Sequence, residues 1–289
     1  MFQPTLEDIV LADDRRHMTA LRPFLPSDFV SDAAQFILDR PGTVLIVTGF
    51  FIVGANAPET DGPPGAAALG AALASLGYEV SFVTDQFSRR VVEAVTGGGP
   101  ILEFPVAGAQ ESDAFARALI AKSRPSLVVA IERPALLGDG SYRNCRGAEL
   151  TGFNARTDHL FEHAAATVGI GDGGNEIGMG ILRDRIAAID GLPSDPSVTG
   201  ADRLVVASCS NWGAYGVIAA MSRLRGRDLL PSVERGHELV VRAVEAGAVE
   251  GLSGEAKDWV DGRSPDDDAV CLRALHAWLT REGIATSGR

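Results

Sequence analysis

The chain has 289 residues, 46% of them apolar and 22% charged, a balance that excludes whole-chain disorder and leaves enough material for a substantial core. Its 38 acidic and 26 basic residues give a formal charge of −12, a field that repels nucleic-acid backbones and anionic membrane surfaces. Cys145, Cys209 and Cys271 show no paired spacing, which argues against a disulfide framework or a structural zinc site and suits a reducing compartment.

Residues 6–40 read as two short helices, the second capped by Asp28 or Ser31. This opening segment is charged and broken by prolines, unlike a signal peptide. The most apolar run, 43–57, is shorter than the roughly 20 residues of a membrane helix. A cytoplasmic location without membrane contact is therefore expected. Thr43–Thr48 is continuously apolar and β-branched, the mark of a strand buried on both faces. Alternation follows: helix at 65–76, strand at Glu79–Thr84, helix at 87–95, short strand at 101–104, helix at 112–122 and buried strand at Leu127–Ile131. About 25 residues without a clear pattern come next, then a helix at 157–166 and a Gly-rich turn at 169–180 whose second half is expected to be helical. A strand at 204–207 and helices at 212–224, 233–246 and 267–280 complete the chain.

This pattern predicts a three-layer α/β fold, doubly wound around a mostly parallel sheet, with extra C-terminal helices. One domain is expected over 1–289: an N-terminal helical segment (1–40), a core (41–225) and C-terminal helices (226–289). Leu272, Leu275, Trp278 and Leu279 on the last helix suit either a core stripe or a dimer face, so a homo-oligomer is an open expectation.

Ligands of open parallel sheets bind beyond the carboxyl ends of the strands, so the polar turns after strands are the candidate sites. After the first strand, 56–65 holds Glu59, Asp61, three prolines and two glycines, more than a plain cap needs. After Leu127–Ile131 come adjacent Glu132 and Arg133, followed by Arg143 and Arg146, a cationic pair that hints at an anionic substrate. After residues 204–207, Ser210 or Asn211 suits the cap of the next helix, and Cys209 reads as a buried, inert thiol. The turn at 169–180 matches GxGxxG at Gly169, Gly171 and Gly174. Asp172 and Glu176 would repel a pyrophosphate there, and the motif follows a helix-like stretch, so a dinucleotide site is not expected. Asp172 and Glu176 are instead candidates for general acid and base, or for holding a hard cation such as Mg²⁺. His159 and His163 share a helix face without a metalloprotease pattern and read as ordinary helix residues.

Three motifs together resemble the C-terminal domain of the D-glutamate cyclase family: residues 59–65 (ETDGPPG), 169–176 (GIGDGGNE) and 210–213 (SNWG). Residues 142–147 are similar too, and the resemblance spans roughly 41–224. It is to a stand-alone form, without the additional N-terminal domain of the best-known members. The resemblance implies a lyase that cyclises D-glutamate to 5-oxo-D-proline with loss of water. On that reading Asp172 and Glu176 form the acid–base pair, with Asp61 as alternate. Arg133 and Arg146 hold the substrate carboxylates, and backbone N–H groups at Gly62 and Gly173 face the oxyanion. Thr60, Glu132, Asn175, Ser210 and Asn211 complete the binding set. No organic cofactor is required; a metal, if used, would sit on Asp61, Asp172 and Glu176. A non-catalytic module for an acidic amino acid or phosphorylated metabolite, and a Mg²⁺-dependent hydrolase, are the other readings of the same turns.

Overall fold

A computed structural model describes residues 3–286. Its centre is a six-stranded sheet of β1 (Thr43–Thr48), β4 (Glu79–Thr84), β5 (Ile101–Glu103), β6 (Leu127–Ile131), β7 (Thr167–Gly171) and β8 (Arg203–Val206), all paired in parallel. The order across the sheet is β5-β4-β1-β6-β7-β8. Counting only these six strands, that is 3-2-1-4-5-6, with the direction of winding reversing between β1 and β6. A small antiparallel ribbon, β2 (Phe51–Ile52) with β3 (Ala57–Pro58), projects from the end of β1.

Alternate residues of the strands feed two cores, which makes the fold three-layered. Val44, Ile46, Val129 and Val168 face a large core built with α2 (Phe29–Leu38), α3 (Pro63–Ser75), α4 (Arg89–Thr96), α8 (Ser210–Arg225), α9 (Val233–Glu245) and α10 (Pro265–Arg281). Leu45, Val47, Val128 and Ala130 face a smaller one closed by α5 (Ala109–Ser123) and α6 (Asp158–His163). α1 (Leu6–Val10) and α2 pack against α8, whose residues are buried from Ser210 through Ser222. A short α7 (Arg183–Ile186) follows the Gly-rich turn.

Several expectations change. Asp28 stands at the start of α2, but neither it nor Ser31 caps the helix; Glu7 reaches across from α1 and accepts from Val30 N at 3.2 Å. The helix expected to run to residue 166 stops at His163, and β7 takes over. Gly169 and Gly171 therefore lie on a strand, which removes one ground for setting the dinucleotide motif aside; the buried Asp172 and Glu176 still oppose a pyrophosphate there. The glycines serve close packing of the chain on itself: a Cβ at Gly169 would stand 2.7 Å from Gly178 Cα. The last-helix stripe is core, with Leu272, Leu275, Trp278 and Leu279 buried within the chain. No helix of the described residues is long and apolar enough to cross a membrane.

The irregular excursion after β6 is tied down from below. Arg133, 1% exposed, donates to Gly49 O (2.8 Å), Asp85 Oδ2 (2.6 Å), Ala155 O (3.0 Å) and Thr157 Oγ1 (3.3 Å). It joins the ends of β1 and β4 to the start of α6. Asp158 holds the other side, accepting from Leu136 N, Tyr142 Oη and Thr199 Oγ1. Removing one partner of a fully buried ion pair strands the other charge, so Arg133→Met should lower folding stability by about 3–5 kcal/mol. Urea unfolding will show this as a lower midpoint; an unchanged midpoint would mean that Asp85 is satisfied without the arginine.

Candidate active site

The site lies where the winding reverses, beyond the carboxyl ends of β1 and β6. Two helix N-termini meet there and cap each other. Asp61, just before α3, accepts from Ser210 N and Asn211 N of α8, each at 2.8 Å. Asn211 returns the bond, its Oδ1 accepting from Gly62 N (3.1 Å) and Gly65 N (2.7 Å) of α3. Gly62 takes φ +96°, and a Cβ there would stand 2.7 Å from Glu132 Cβ, so glycine is required on both counts. Ser210 Oγ donates to Glu132 Oε2 at 2.5 Å, linking α8 to the end of β6.

The segments after β6 and β7 pair with each other. Ala135 N donates to Asn175 O and Ile177 N to Arg133 O, each at 2.9 Å, which brings Glu176 beside Glu132. Glu132 has a left-handed backbone, φ +46°, as has Asp261 at +51°; both are buried and carry strain that the surrounding contacts must hold. Arg16 enters from the N-terminal segment, its guanidinium bonding Asp172 Oδ1 and, at 2.6 Å, Asp261 Oδ1.

Six buried carboxyls thus converge on Arg16: Glu59, Asp61, Glu132, Asp172, Glu176 and Asp261. They form two tiers. The glutamates Glu59, Glu132 and Glu176 line an open cleft of about 480 Å³ together with Arg16, Cys145, Arg146 and Asn175. Asp61 and Asp172 do not line that cleft, and Asp261 borders a neighbouring hollow that shares Arg16, Cys145 and Arg146. A larger groove of about 620 Å³ along α3 and α9 is walled mainly by small and apolar side chains and holds no such cluster.

Burial dominates the electrostatics of these acids. It pushes Asp61 up to about 6, with Asp261 adding repulsion, and Asp172 up to about 7 against the pull of Arg16. Asp261 rises to about 8, and Glu59 and Glu132 are held well above the ordinary carboxyl range. The folded state therefore holds protons that the unfolded chain has lost. That contribution to stability is complete below the usual carboxyl pKa of about 4 and disappears as pH rises through the folded values. In buffer with chelator, where protons alone balance the cluster, the melting temperature should fall by several degrees between pH 5.5 and pH 9. A melting temperature that holds or rises across that range would contradict the cluster's protonation.

The residues nominated from sequence divide clearly. Asp61, Gly62, Glu132, Asp172, Gly173, Asn175, Glu176, Ser210 and Asn211 are brought together around this centre. Arg133 is not, since its donors are used on Asp85 and the backbone on the far side. Gly62 N–H is taken by Asp61 and Asn211, and the Gly173 amide bonds the Glu176 carboxylate, so neither is a free oxyanion donor. Thr60 donates to Trp259 O and Asn211 serves as a cap, which leaves both structural. Ser210 does not cap its own helix; Asp61 does. Arg146 is exposed at the cleft rim, with no ion pair among the described residues. Cys209 is buried, its thiol pushed up by burial and by Asp61, as suits an inert residue. His159 and His163 pair with Glu162 and Asp113, away from this cleft. Arg16 and Asp261 escaped the sequence reading: no motif marks Arg16, whereas the Asp261-Gly262 turn signal preceding the last helix was there to be noticed.

Known proteins agree with this picture at the level of family. The profile of the family described as "D-glutamate cyclase-like, C-terminal" matches residues 6–276. Human mitochondrial D-glutamate cyclase is 35% identical over 214 residues, covering 65% of this chain and 34% of that protein. The chain thus spans about a third of the length of that relative. An exopolyphosphatase-related protein from Bacteroides fragilis superposes with a TM-score of 0.43 and 11% identity over 90% of this chain and 58% of that one, too remote a likeness to support any inference. On the extent of the profile match, the chain belongs to the D-glutamate cyclase-like, C-terminal family.

Proposed function

We propose that the chain is a lyase that closes an acidic amino acid, D-glutamate, into its five-membered lactam, 5-oxo-D-proline, and releases water. The observation that carries this reading is the cleft itself, in which three buried glutamates stand beside two arginines at a sheet's switch point. The family and the human relative's name supply the substrate class.

The reaction moves two protons from the substrate ammonium to the departing oxygen of its side-chain carboxyl. The amine nitrogen attacks the carboxyl carbon, a C–N bond forms, a C–O bond breaks and water leaves. Since both reacting groups belong to one molecule, folding it into the attacking geometry supplies much of the rate. A base and an acid with separated proton affinities are needed. Burial raises the Glu176 carboxyl, but Arg16 and the amides of Gly173 and Gly174, the latter at 2.8 Å, pull toward its charged form, and we assign it the base. Glu59, buried and with no hydrogen-bond donor to its carboxyl among the described residues, favours its neutral form, and we assign it the acid. Asp172 lies in the lower tier against Arg16, so the acid–base pair moves from Asp172 and Glu176 to Glu59 and Glu176. Arg146, at the rim and unpaired, suits the substrate's α-carboxylate.

The direct test is incubation of the purified chain with D-glutamate and, separately, L-glutamate, with chiral mass-spectrometric detection of 5-oxoproline. Product from the D form alone is expected; none from either, with Mg²⁺ and Mn²⁺ supplied, would overturn the reading. Glu176→Gln should reduce kcat by about 100-fold or more, the scale of a lost general base. Arg146→Ala should instead raise KM by about 10- to 100-fold with kcat nearly unchanged, because a lost charge-assisted bond weakens ground and transition states alike.

A further inference from the structure

We infer that the base of this cluster binds one hard divalent cation, Mg²⁺ or Mn²⁺, held by Asp61 and Asp172 of the lower tier and by Glu132, which reaches it from the cleft wall. Each of these buried carboxylates offers an oxygen, and the three atoms lie within 4.8 Å of one another. Oxygen ligands on an octahedral ion with bonds of about 2.1 Å stand about 3–4 Å apart, so small side-chain adjustments close the set. The residues come from three separate turns, after β1, β6 and β7, at the carboxyl ends of adjacent strands.

A cluster of acids is not by itself a metal site, and two further observations point to a ligand. Asp172 is fully buried, yet no N–H or O–H of the protein reaches its Oδ2; Arg16 engages only Oδ1. The hydroxyl of Thr48, also fully buried and unpartnered, lies beside Gly62 at the root of the Glu132 side chain. Orphaned buried oxygens are costly, on the order of 1–3 kcal/mol each, unless a ligand or a shared proton satisfies them. The ligands are also braced as metal ligands usually are. Asp61 is oriented by the amides of Gly62, Ser210 and Asn211, with Oδ2 taking only one of them, and Glu132 by Ser210 Oγ.

The chemistry of the donors selects the ion. All three are carboxylates, which suits Mg²⁺, Ca²⁺ and Mn²⁺ over softer metals. Cys209 Sγ lies 3.4 Å from Asp61 Oδ1 and acts as a donor to it, so the thiol is engaged through its proton and does not pull the site toward zinc. Glu176, expected from sequence to complete the set, bonds instead to the Gly-rich turn, and Glu132 takes its place. The competing explanation for the orphaned atoms is a proton shared by Asp172 and Asp261, whose side chains lie within hydrogen-bonding reach of each other.

Cation binding is measurable without turnover, so this inference stands or falls separately from the cyclase reading. Chelator-treated chain is titrated with MnCl₂ at pH 8 and free Mn²⁺ is followed by electron paramagnetic resonance, with MgCl₂ as competitor. One Mn²⁺ per chain, displaced by Mg²⁺, is expected. Asp172→Asn and Glu132→Gln, each checked for folding by circular dichroism, should weaken binding at least tenfold. Asp61 is left intact because it caps α8. His159→Ala, in the surface trio Asp113, His159 and Glu162, should bind as the unaltered chain does. No binding at millimolar Mn²⁺ would show that protons alone balance the tier. Binding that survives both carboxyl substitutions, or that is lost with His159, would place the ion elsewhere; each of these results overturns the proposal.

Discussion

The exchange of caps between Asp61 and Asn211 is the contact on which the rest of the site depends. A helix begins with N–H groups that have no partner in the helix, and burying such an end is costly unless something accepts from them. Here two buried helix N-termini solve the problem reciprocally: α8 is capped by the turn that leads into α3, and α3 by the first residues of α8. Neither helix can slide without breaking the other's cap. Gly65 has no Cβ because Asn211 Cα occupies that space, which lets the two starts approach closely. The arrangement also keeps a carboxylate at the positive end of α8, where part of its desolvation is recovered from the helix dipole.

From this lock the geometry of the acids follows. Glu132 is drawn toward α8 by Ser210, and the β6 and β7 exits pair to set Glu176 alongside. The tiering reflects side-chain length. Asp61 and Asp172 are held close to the backbone that carries them and stay below; the longer glutamates extend far enough to line the cleft. The lower tier then acts on the upper one through its field, helping to hold Glu132 and Glu59 well above the ordinary carboxyl range.

Much of the sheet was legible because β1 and β6 are continuous apolar runs of strand length, rich in β-branched residues, and β4 sets Val80, Phe82 and Val83 among polar residues between two helical stretches. β7 was not. Its Thr-Val-Gly-Ile-Gly sequence lacks that signal because the Gly-rich turn folds back onto Gly169, a requirement visible only in three dimensions. The same limit applies to the site. Polar turns after expected strands marked Asp61 and Glu132 from sequence, and the density of glycines around two acids marked Asp172 and Glu176. Glu132 and Arg133, however, were read as a joint feature because they are adjacent. Successive residues at the end of a strand point to opposite faces. Glu132 therefore goes to the carboxyl cluster and Arg133 to the pair with Asp85. Asn211 was read as a candidate cap for the helix it begins, and Asp61 as a functional acid in a turn too elaborate for a plain cap; nothing local reveals that each caps the other's helix.

Arg16 carries the remaining argument about charge. Burying carboxylates without compensation costs several kcal/mol per ion, far more than a chain of this kind can sustain six times over. Some of the six must be neutral, paired or ligated whenever the site is folded. Arg16 pairs with two of them, and it comes from the segment before the first strand, which the sequence presents as a preamble to the α/β core. That segment is fastened beside Arg16 as well: Arg263 donates to Asp13 O at 2.7 Å and ion-pairs with the Asp13 carboxylate. The N-terminal residues are thus part of the wall of the cleft. On the proposed function, a substrate bearing two carboxylates enters this acidic cleft only once its wall has been neutralised from within, and Arg16 supplies the first charge toward that end.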